Sequence, residues 1–315
     1  MRVAQAAALD VGPYLLEGFR ADTQVRLKGP IDLVTEYDIE AERRLREALS
    51  SALPYRIVGE EAGASGDASG GAVWYVDPID GTTNFAHGHP FFCISLGLFS
   101  EAGEGLVGVV HAPALGVTWV GGRGHGVTRN GVAVRVSTRD TLDTALCATG
   151  FPYDRRENDD DNLREVGAVL KRVRGIRRCG SAALDLALVA DGTYDAYWEQ
   201  RLGVWDMAAG AVLVEAAGGR LSDYDGGPAD VRKGRGGQQW SGARPPRRAP
   251  HGGARSARLR PCGRAASRTR ASSLPSRSCS RPSHRLPPRR MAPARHRSRA
   301  SRGRRPVRVA WPTTR

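Results

Sequence analysis

The chain has 315 residues and a formal charge of +14, an average that hides a split. Of its 47 basic residues, 25 lie in 231–315 with none of the 33 acids, so that segment carries +25 and residues 1–230 carry −11. The length allows one large domain or two smaller ones, and an acidic body suits a protein that collects divalent cations. The five cysteines, Cys93, Cys147, Cys179, Cys262 and Cys279, include no Cys-x-x-Cys pair and suggest neither a zinc site nor a disulfide framework. Met1-Arg2-Val3-Ala4-Gln5 leads into a stretch holding Asp10 and Glu17, unlike a secretory leader. No apolar run approaches ~20 residues, so no membrane span is expected, and a reducing cytoplasm fits best.

In chain order, residues 1–20 read as a helix with Leu9, Tyr14, Leu15 and Phe19 on one face, interrupted at Gly12-Pro13. Asp32-Leu33-Val34-Thr35 is a short extended piece. Ile39, Leu45, Ala48 and Leu49, with charges between them, predict an amphipathic helix from Asp38 to about Pro54. Arg56 to Gly59 predicts a strand ending at Glu60-Glu61, and Gly63 to Gly71 a small-residue loop. Val73 to Val76 predicts a strand that stops at two aspartates, Asp77 and Asp80, before the turn Gly81-Thr82-Thr83-Asn84.

Strands are expected over Phe92–Phe99, Gly105–His111 and Gly116–Gly121, and a subdomain change near residue 140. Beyond it, Leu146 begins a new segment. Leu163–Val173 is helical, Gly175–Arg178 a strand, Ser181–Ala190 an apolar helix and Tyr194–Trp198 a strand. Trp205–Ala217 is a helix and Gly218–Leu221 a strand start. The alternation predicts an α/β chain, an α+β layered sandwich of alternating helix and sheet layers.

Five carboxylates, Glu60, Glu61, Asp77, Asp80 and Asp206, stand where strands end or helices begin. Several carboxylates in one place resist joint ionisation unless a cation neutralises them. Hard oxygen ligands imply Mg²⁺, Mn²⁺ or Ca²⁺, and Mg²⁺ keeps room for substrate phosphate. Taken singly, Asp206 could be a helix cap and Asp77 a turn residue; the combination points to a metal site. His87, His89 and His111 read as structural, because Mg²⁺ prefers oxygen.

Four blocks together resemble the inositol monophosphatase family of Mg²⁺-dependent, lithium-sensitive phosphatases. They are Asp32-Leu33-Val34-Thr35-Glu36-Tyr37-Asp38, Gly59-Glu60-Glu61, Asp77 to Phe85, and Trp205-Asp206 with the following Gly218-Gly219. Gly180-Ser181-Ala182-Ala183 and Tyr197-Trp198-Glu199 sit where the family has substrate contacts. The resemblance runs from about residue 3 to about 230. It implies a phosphomonoesterase, often dimeric, holding two or three Mg²⁺ with Mn²⁺ as an alternative. Its metal ligands would be Glu60, Asp77, the carbonyl of Ile79, Asp80 and Asp206, with Glu61 near a weaker third site. Thr82 paired with Asp38 would orient or deprotonate the attacking water. Gly81, Thr82 and Thr83 would cradle the phosphate, and Gly180, Ser181, Ala182, Glu199 and Asp206 would contact the rest of the substrate. Inositol 1-phosphate is the lead substrate; histidinol phosphate and fructose 1,6-bisphosphate are the rivals.

The last segment departs from the family. Residues 231–315 lack Phe, Tyr, Ile, Asn and every acid, and are mostly Arg, Pro, Ser, Ala and Gly. Such a composition predicts disorder. It reads either as a basic extension binding nucleic acid or as the out-of-frame product of a GC-rich gene, with the family's last strand and helix missing.

Overall fold

The protein is seen in a computed structural model that describes residues 1–21, 25–27, 33–67, 70–224 and 226–233. The disorder expected of residues 231–315, with the missing strand and helix, lies from residue 234 on outside the described residues, as does Asp32 of the first motif block.

Helix α1 (Arg2–Gly18) is continuous through Pro13. A proline removes one helix hydrogen bond, but the buried face of Ala4, Ala7, Ala8, Val11 and Leu15 spans both sides of it and holds the helix together by packing. Leu9, expected on that face, is exposed. A short ribbon follows, β1 (Val25–Leu27) against β2 (Leu33–Thr35). Helix α2 (Glu36–Ala52) begins two residues earlier than the periodicity predicts, because Thr35 and Asp38 close a capping box around its first turn.

Strands β3 (Arg56–Gly59), β4 (Gly63–Ser65), β5 (Ala72–Asp80), β6 (Cys93–Ser100), β7 (Gly105–Ala112), β8 (Val117–Gly122), β9 (Gly126–Arg129) and β10 (Val132–Val134) form an eight-stranded sheet among the described residues. Its order is β10-β9-β8-β7-β6-β5-β3-β4. Neighbours are antiparallel except β3 and β5, which run parallel. The segment expected to be only a loop contributes edge strand β4, and β9 and β10 extend the sheet beyond the predicted strands. Short helix α3 (Thr82–Ala86) follows β5.

The chain then builds a small parallel sheet, β12 (Gly175–Arg177), β11 (Leu146–Thr149) and β13 (Ala196–Trp198), with helix α4 (Leu163–Leu170) packing on it through Val166 and Val169. Helices α5 (Ala182–Ala190) and α6 (Val204–Ala216) lie between the two sheets, while α1 and α2 cover the other face of the large one. The layers therefore alternate: α1/α2, large sheet, α5/α6, small sheet, α4. The strand expected at Gly218–Leu221 does not form; the chain there makes a single bridge, Ser222 to Pro228. It ends, among the described residues, in a 3₁₀ turn at Val231–Lys233 with Val231 buried.

Two glycines explain how α6 reaches its place. Gly97 on β6 and Gly108 on β7 are paired across the ladder. A Cβ on Gly97 would lie 2.5 Å from the Ala208 Cβ, and one on Gly108 2.5 Å from the Ala209 carbonyl. The missing side chains let the α6 backbone rest directly on the sheet. Ser95 Oγ donates to the Trp205 carbonyl at 3.1 Å and pins the start of that helix to β6.

Candidate active site

The site forms at the end of β5. Strand β5 runs through both aspartates instead of stopping at Val76. In a regular strand two residues three apart face opposite ways. Here the register with β6 pairs Asp77 with Ser95 and Asp80 with Cys93, so three steps on β5 meet two on β6. The bulge falls between Asp77 and Asp80, where Pro78 has no N–H for the ladder, and it turns both carboxylates to the side of α5 and α6. Parallel pairing of β3 with β5 sets Gly59 opposite Val76, and the Glu60 N–H donates to the Val76 carbonyl at 3.2 Å. Glu60 is thereby delivered to the same end. From the other side comes Asp206 in the first turn of α6, where it accepts from the Gly203 N–H at 2.6 Å. It is a cap and a member of the cluster at once: one carboxylate oxygen from each of Asp77, Asp80 and Asp206 lies within 4.8 Å of the others. Glu60, Ile79, Gly81 and Thr82 line the same cleft.

Asp80 is clasped by the N-terminus of α5. Its Oδ2 accepts from Ser181 Oγ at 2.7 Å and from the Ala183 N–H at 2.6 Å, with the Cys93 thiol 3.9 Å away. Ser181 and Ala182, expected to contact substrate, are both buried behind Asp80, and the Ser181 hydroxyl is already engaged there. Gly180 is half-buried beside them, in the left-handed region at φ +87°.

Next to the carboxylates stands Thr82. Its Oγ1 lies 3.0 Å from Asp38 Oδ1 and 3.1 Å from the Ile79 carbonyl, and one hydroxyl proton can serve only one of them. Asp38 is fully buried, and its Oδ2 accepts from the Thr35 N–H at 2.7 Å and Thr35 Oγ1 at 2.6 Å. Gly81 adopts φ +97°, and a Cβ there would sit 3.1 Å from the Phe91 carbonyl and 3.2 Å from that of Gly180. Thr83 is exposed. Asn84, unassigned in the sequence, ties this turn to the Gly180 segment by donating to the carbonyls of Phe91 at 2.6 Å and Cys179 at 2.8 Å.

Burial and mutual repulsion make the carboxylates of this cluster reluctant to ionise. Burial, then the charges of Glu60, Asp80 and Asp206, push the Asp77 carboxyl well above its usual range. Burial and then Asp80 and Glu60 do the same to Asp206. Asp80 rises only to about 6, because donors from Ser181 and the α5 backbone oppose its burial. Asp38 also rises to about 6, through burial opposed by its Thr35 bonds. Asp77 Oδ1 accepts from the Ile79 N–H at 3.0 Å, but Asp77 Oδ2 is buried with no partner. An unpartnered carboxylate oxygen in a cluster of hard donors fits a divalent cation, as the donor set does.

Seven of the expected residues do not line the cleft: Asp38, Thr83, Gly180, Ser181, Ala182, Glu61 and Glu199. Glu61 is not among its lining residues; its charge is felt by Asp38. Glu199 also lies outside the lining, resting on the Gly150 backbone and accepting a hydrogen bond from the buried Tyr197 hydroxyl. Burial raises its carboxyl to about 7 against the pull of Tyr197 and Arg178. The cleft also takes in Tyr153 and Arg201, which the sequence reading passed over. Arg201 has a left-handed backbone, φ +59°, and its guanidinium pairs with Asp154 and Asp160 of the loop above. No local pattern marks these two, since a loop from another layer brings them in.

The chain is similar to known proteins in sequence and in fold. The sequence matches the Inositol monophosphatase family over residues 1–247, past the point where the motif blocks end. It is 45% identical over 230 residues to an inositol-1-monophosphatase of Rhizobium meliloti, covering 72% of this chain and 86% of that protein. It is 41% identical over 241 residues to the Nus factor SuhB of Pseudomonas aeruginosa, covering 74% and 89%. The structure resembles that of the extragenic suppressor protein suhB from Bartonella henselae, with TM-score 0.71 and 37% identity over 78% of this chain and 93% of that one. With a family match over most of its length and relatives of this identity, this chain is a phosphatase belonging to the inositol monophosphatase family.

Proposed function

We propose that the cleft hydrolyses the phosphate monoester of a small polyol, with inositol 1-phosphate as lead substrate. The observation that carries this is the cluster of Asp77, Asp80 and Asp206, with its unpartnered Asp77 oxygen, beside the Gly81-Thr82 turn. Glu60, Asp77, Asp80, Asp206 and the Ile79 carbonyl would hold two or three Mg²⁺, with Mn²⁺ as an alternative and Glu61 serving the weakest position. When bound, such ions supply a water of lowered pKa and neutralise charge on the phosphate.

The chain's own groups do the rest. Asp38 takes the Thr82 hydroxyl proton into a hydrogen bond, which leaves a Thr82 lone pair to accept from the attacking water and orient it. The N–H groups of Gly81, Thr82 and Thr83 face the phosphate oxygens. Gly180 and Ala182 contact the alcohol through the backbone, while Ser181 holds Asp80. Glu199 accepts from substrate hydroxyls. Phosphate release from inositol 1-phosphate, histidinol phosphate and fructose 1,6-bisphosphate, with Mg²⁺ or with EDTA, tests the reading. Mg²⁺-dependent release greatest for inositol 1-phosphate is expected; none from any of the three by folded protein rejects it.

A second role, binding nucleic acid through residues 231–315, is favoured by their +25 charge and by the similarity to a protein called a Nus factor. Affinity for RNA that falls steeply with salt and disappears when 234–315 are removed is the expected result.

A further inference from the structure

We infer that Glu42 is a positioning residue for the metal site, clamping the turn that carries Glu60. The inference rests on the reading of Glu60 as a metal ligand. Glu42 follows Asp38 by one helical turn, so both point from the same face of α2. That helix has five carboxylates, and those of Glu36, Glu40 and Glu47 are not buried; Asp38 and Glu42 are, at 0% and 1% exposure. Burying a carboxylate is costly unless every oxygen finds donors.

Glu42 finds three. Its Oε2 accepts from the Glu61 N–H at 2.7 Å, and its Oε1 from the Ala62 N–H at 3.0 Å and from Arg46 Nε at 2.7 Å. Arg46 carries the clamp onward to Ser65 Oγ at 2.5 Å and to the Gly63 carbonyl, on β4. The carboxylate therefore grips the two peptide groups immediately after Glu60. Gly59, immediately before it, has no room for a side chain: any Cβ would run into the Glu42 carboxylate and lie 2.7 Å from Arg46 Nη2. Its backbone is not in the left-handed region, so the glycine serves the clamp by leaving space.

Helix α2 thus grips both sides of the site from one rigid element. Asp38 holds Thr82 at the end of β5, and one turn on, Glu42 holds the Glu60–Ala62 turn at the end of β3. The Val76 carbonyl holds the Glu60 N–H on the β5 side, and Glu42 holds the next two N–H groups on the side of α2. Groups that orient metal ligands without touching the metal typically change its affinity 10- to 100-fold.

The isosteric change Glu42→Gln tests this. All three partners are donors, so the amide NH₂ must face one of them whichever way it turns. Mg²⁺ binding is measured by calorimetric titration and by Mn²⁺ electron paramagnetic resonance on the full chain, with Glu60→Gln in parallel. Expected for Glu42→Gln is a loss of metal affinity of about tenfold or more, with the Mg²⁺ needed for half-maximal turnover rising by more than turnover at saturating Mg²⁺ falls. A lowered melting temperature with metal affinity unchanged makes Glu42 a purely structural group and overturns the inference. Should Glu42→Gln fail to fold, Gly59→Ala displaces the same carboxylate by crowding; weakened metal binding there supports the clamp, and wild-type binding overturns it. If Glu60→Gln itself leaves metal binding intact, it is the assignment of Glu60 that fails, a result distinct from a weakened Glu60→Gln beside a normal Glu42→Gln.

Discussion

The two faces of the large sheet are covered by helices of opposite character. On one, α1 and α2 are amphipathic, and the outer side of α2 carries Arg43 and Arg44 against Glu40 and Glu47. On the other, α5 and α6 lie between two sheets and are apolar almost all round, with Ala and Gly at the closest contacts, as where Gly210 of α6 meets Leu186. On the outer face charge is tolerated wherever water reaches it. Between the sheets the carboxylates that join the site are kept where a helix offers free N–H groups: Asp80 against the start of α5, and Asp206 in the first turn of α6. Asp185, in the first turn of α5, is buried as well, with its Oδ1 unpartnered. The site lies where the two faces meet at the end of β5, taking Asp38 from the outer layer and Asp206 from the inner one.

The contrast can be broken most sharply at its junction. Asp80→Asn is expected to lower Mg²⁺-dependent phosphate release on the order of 10³-fold or more while circular dichroism stays that of the folded chain. Activity retained in that variant would remove Asp80 from the site. A smaller effect is expected from the inner packing. Gly97→Ala places a methyl 2.5 Å from the Ala208 Cβ, and overpacking of this kind costs about 1–3 kcal/mol in denaturant unfolding. It should also weaken Mg²⁺ binding, because α6 carries Asp206.

The buried acids set a pH dependence in metal-free protein. Asp38 and Asp80 titrate near 6 in the folded state and Asp77 and Asp206 higher, all above their unfolded values near 4. A raised folded value means the native state binds more protons, so stability falls as pH rises from about 4 through about 6 and beyond. In EDTA the melting temperature should therefore be lower at pH 7.5 than at pH 5. Saturating Mg²⁺ should reverse the order, since cations bind the ionised carboxylates. A metal-free melting temperature that climbs over that range would contradict the buried cluster. The smallest effect belongs to the outer face: Glu40→Gln removes an exposed pairing with Arg43 and Arg44 and should leave melting temperature and Mg²⁺ affinity unchanged, beside the loss expected for Glu42→Gln two residues further on.

Much of this was legible before the coordinates. The amphipathic pattern of α2, the apolar runs of β6 and β7 and the buried helix α6 are short-range signals, and each formed where expected. Motif spacing alone picked out Asp77, Asp80 and Asp206. Glu42 carried a faint signal, its i, i+4 spacing from Asp38, but an acid on an amphipathic helix is ordinarily solvated. Asn84 sat inside a recognised motif without a role, because its partners, Phe91 and Cys179, are 7 and 95 residues away. The strand expected at Gly218–Leu221 failed because a Gly-Gly turn after a helix carries no information on whether a sheet edge waits for it.

By itself, then, the sequence determined the chemistry on offer, acids at element ends beside a Gly-Thr-Thr-Asn turn, and the order of most helices and strands, since both follow from near neighbours along the chain. Only the tertiary structure decided that β3 pairs parallel with β5 and brings Glu60 beside Asp77, and that a bulge between Asp77 and Asp80 turns both to one side. Packing alone set Ser181 on Asp80 across 101 residues, and brought Glu42 behind the turn that holds Glu60. Those are matters of strand register and close packing. They depend on which distant surfaces fit together, and no local pattern of side chains encodes that.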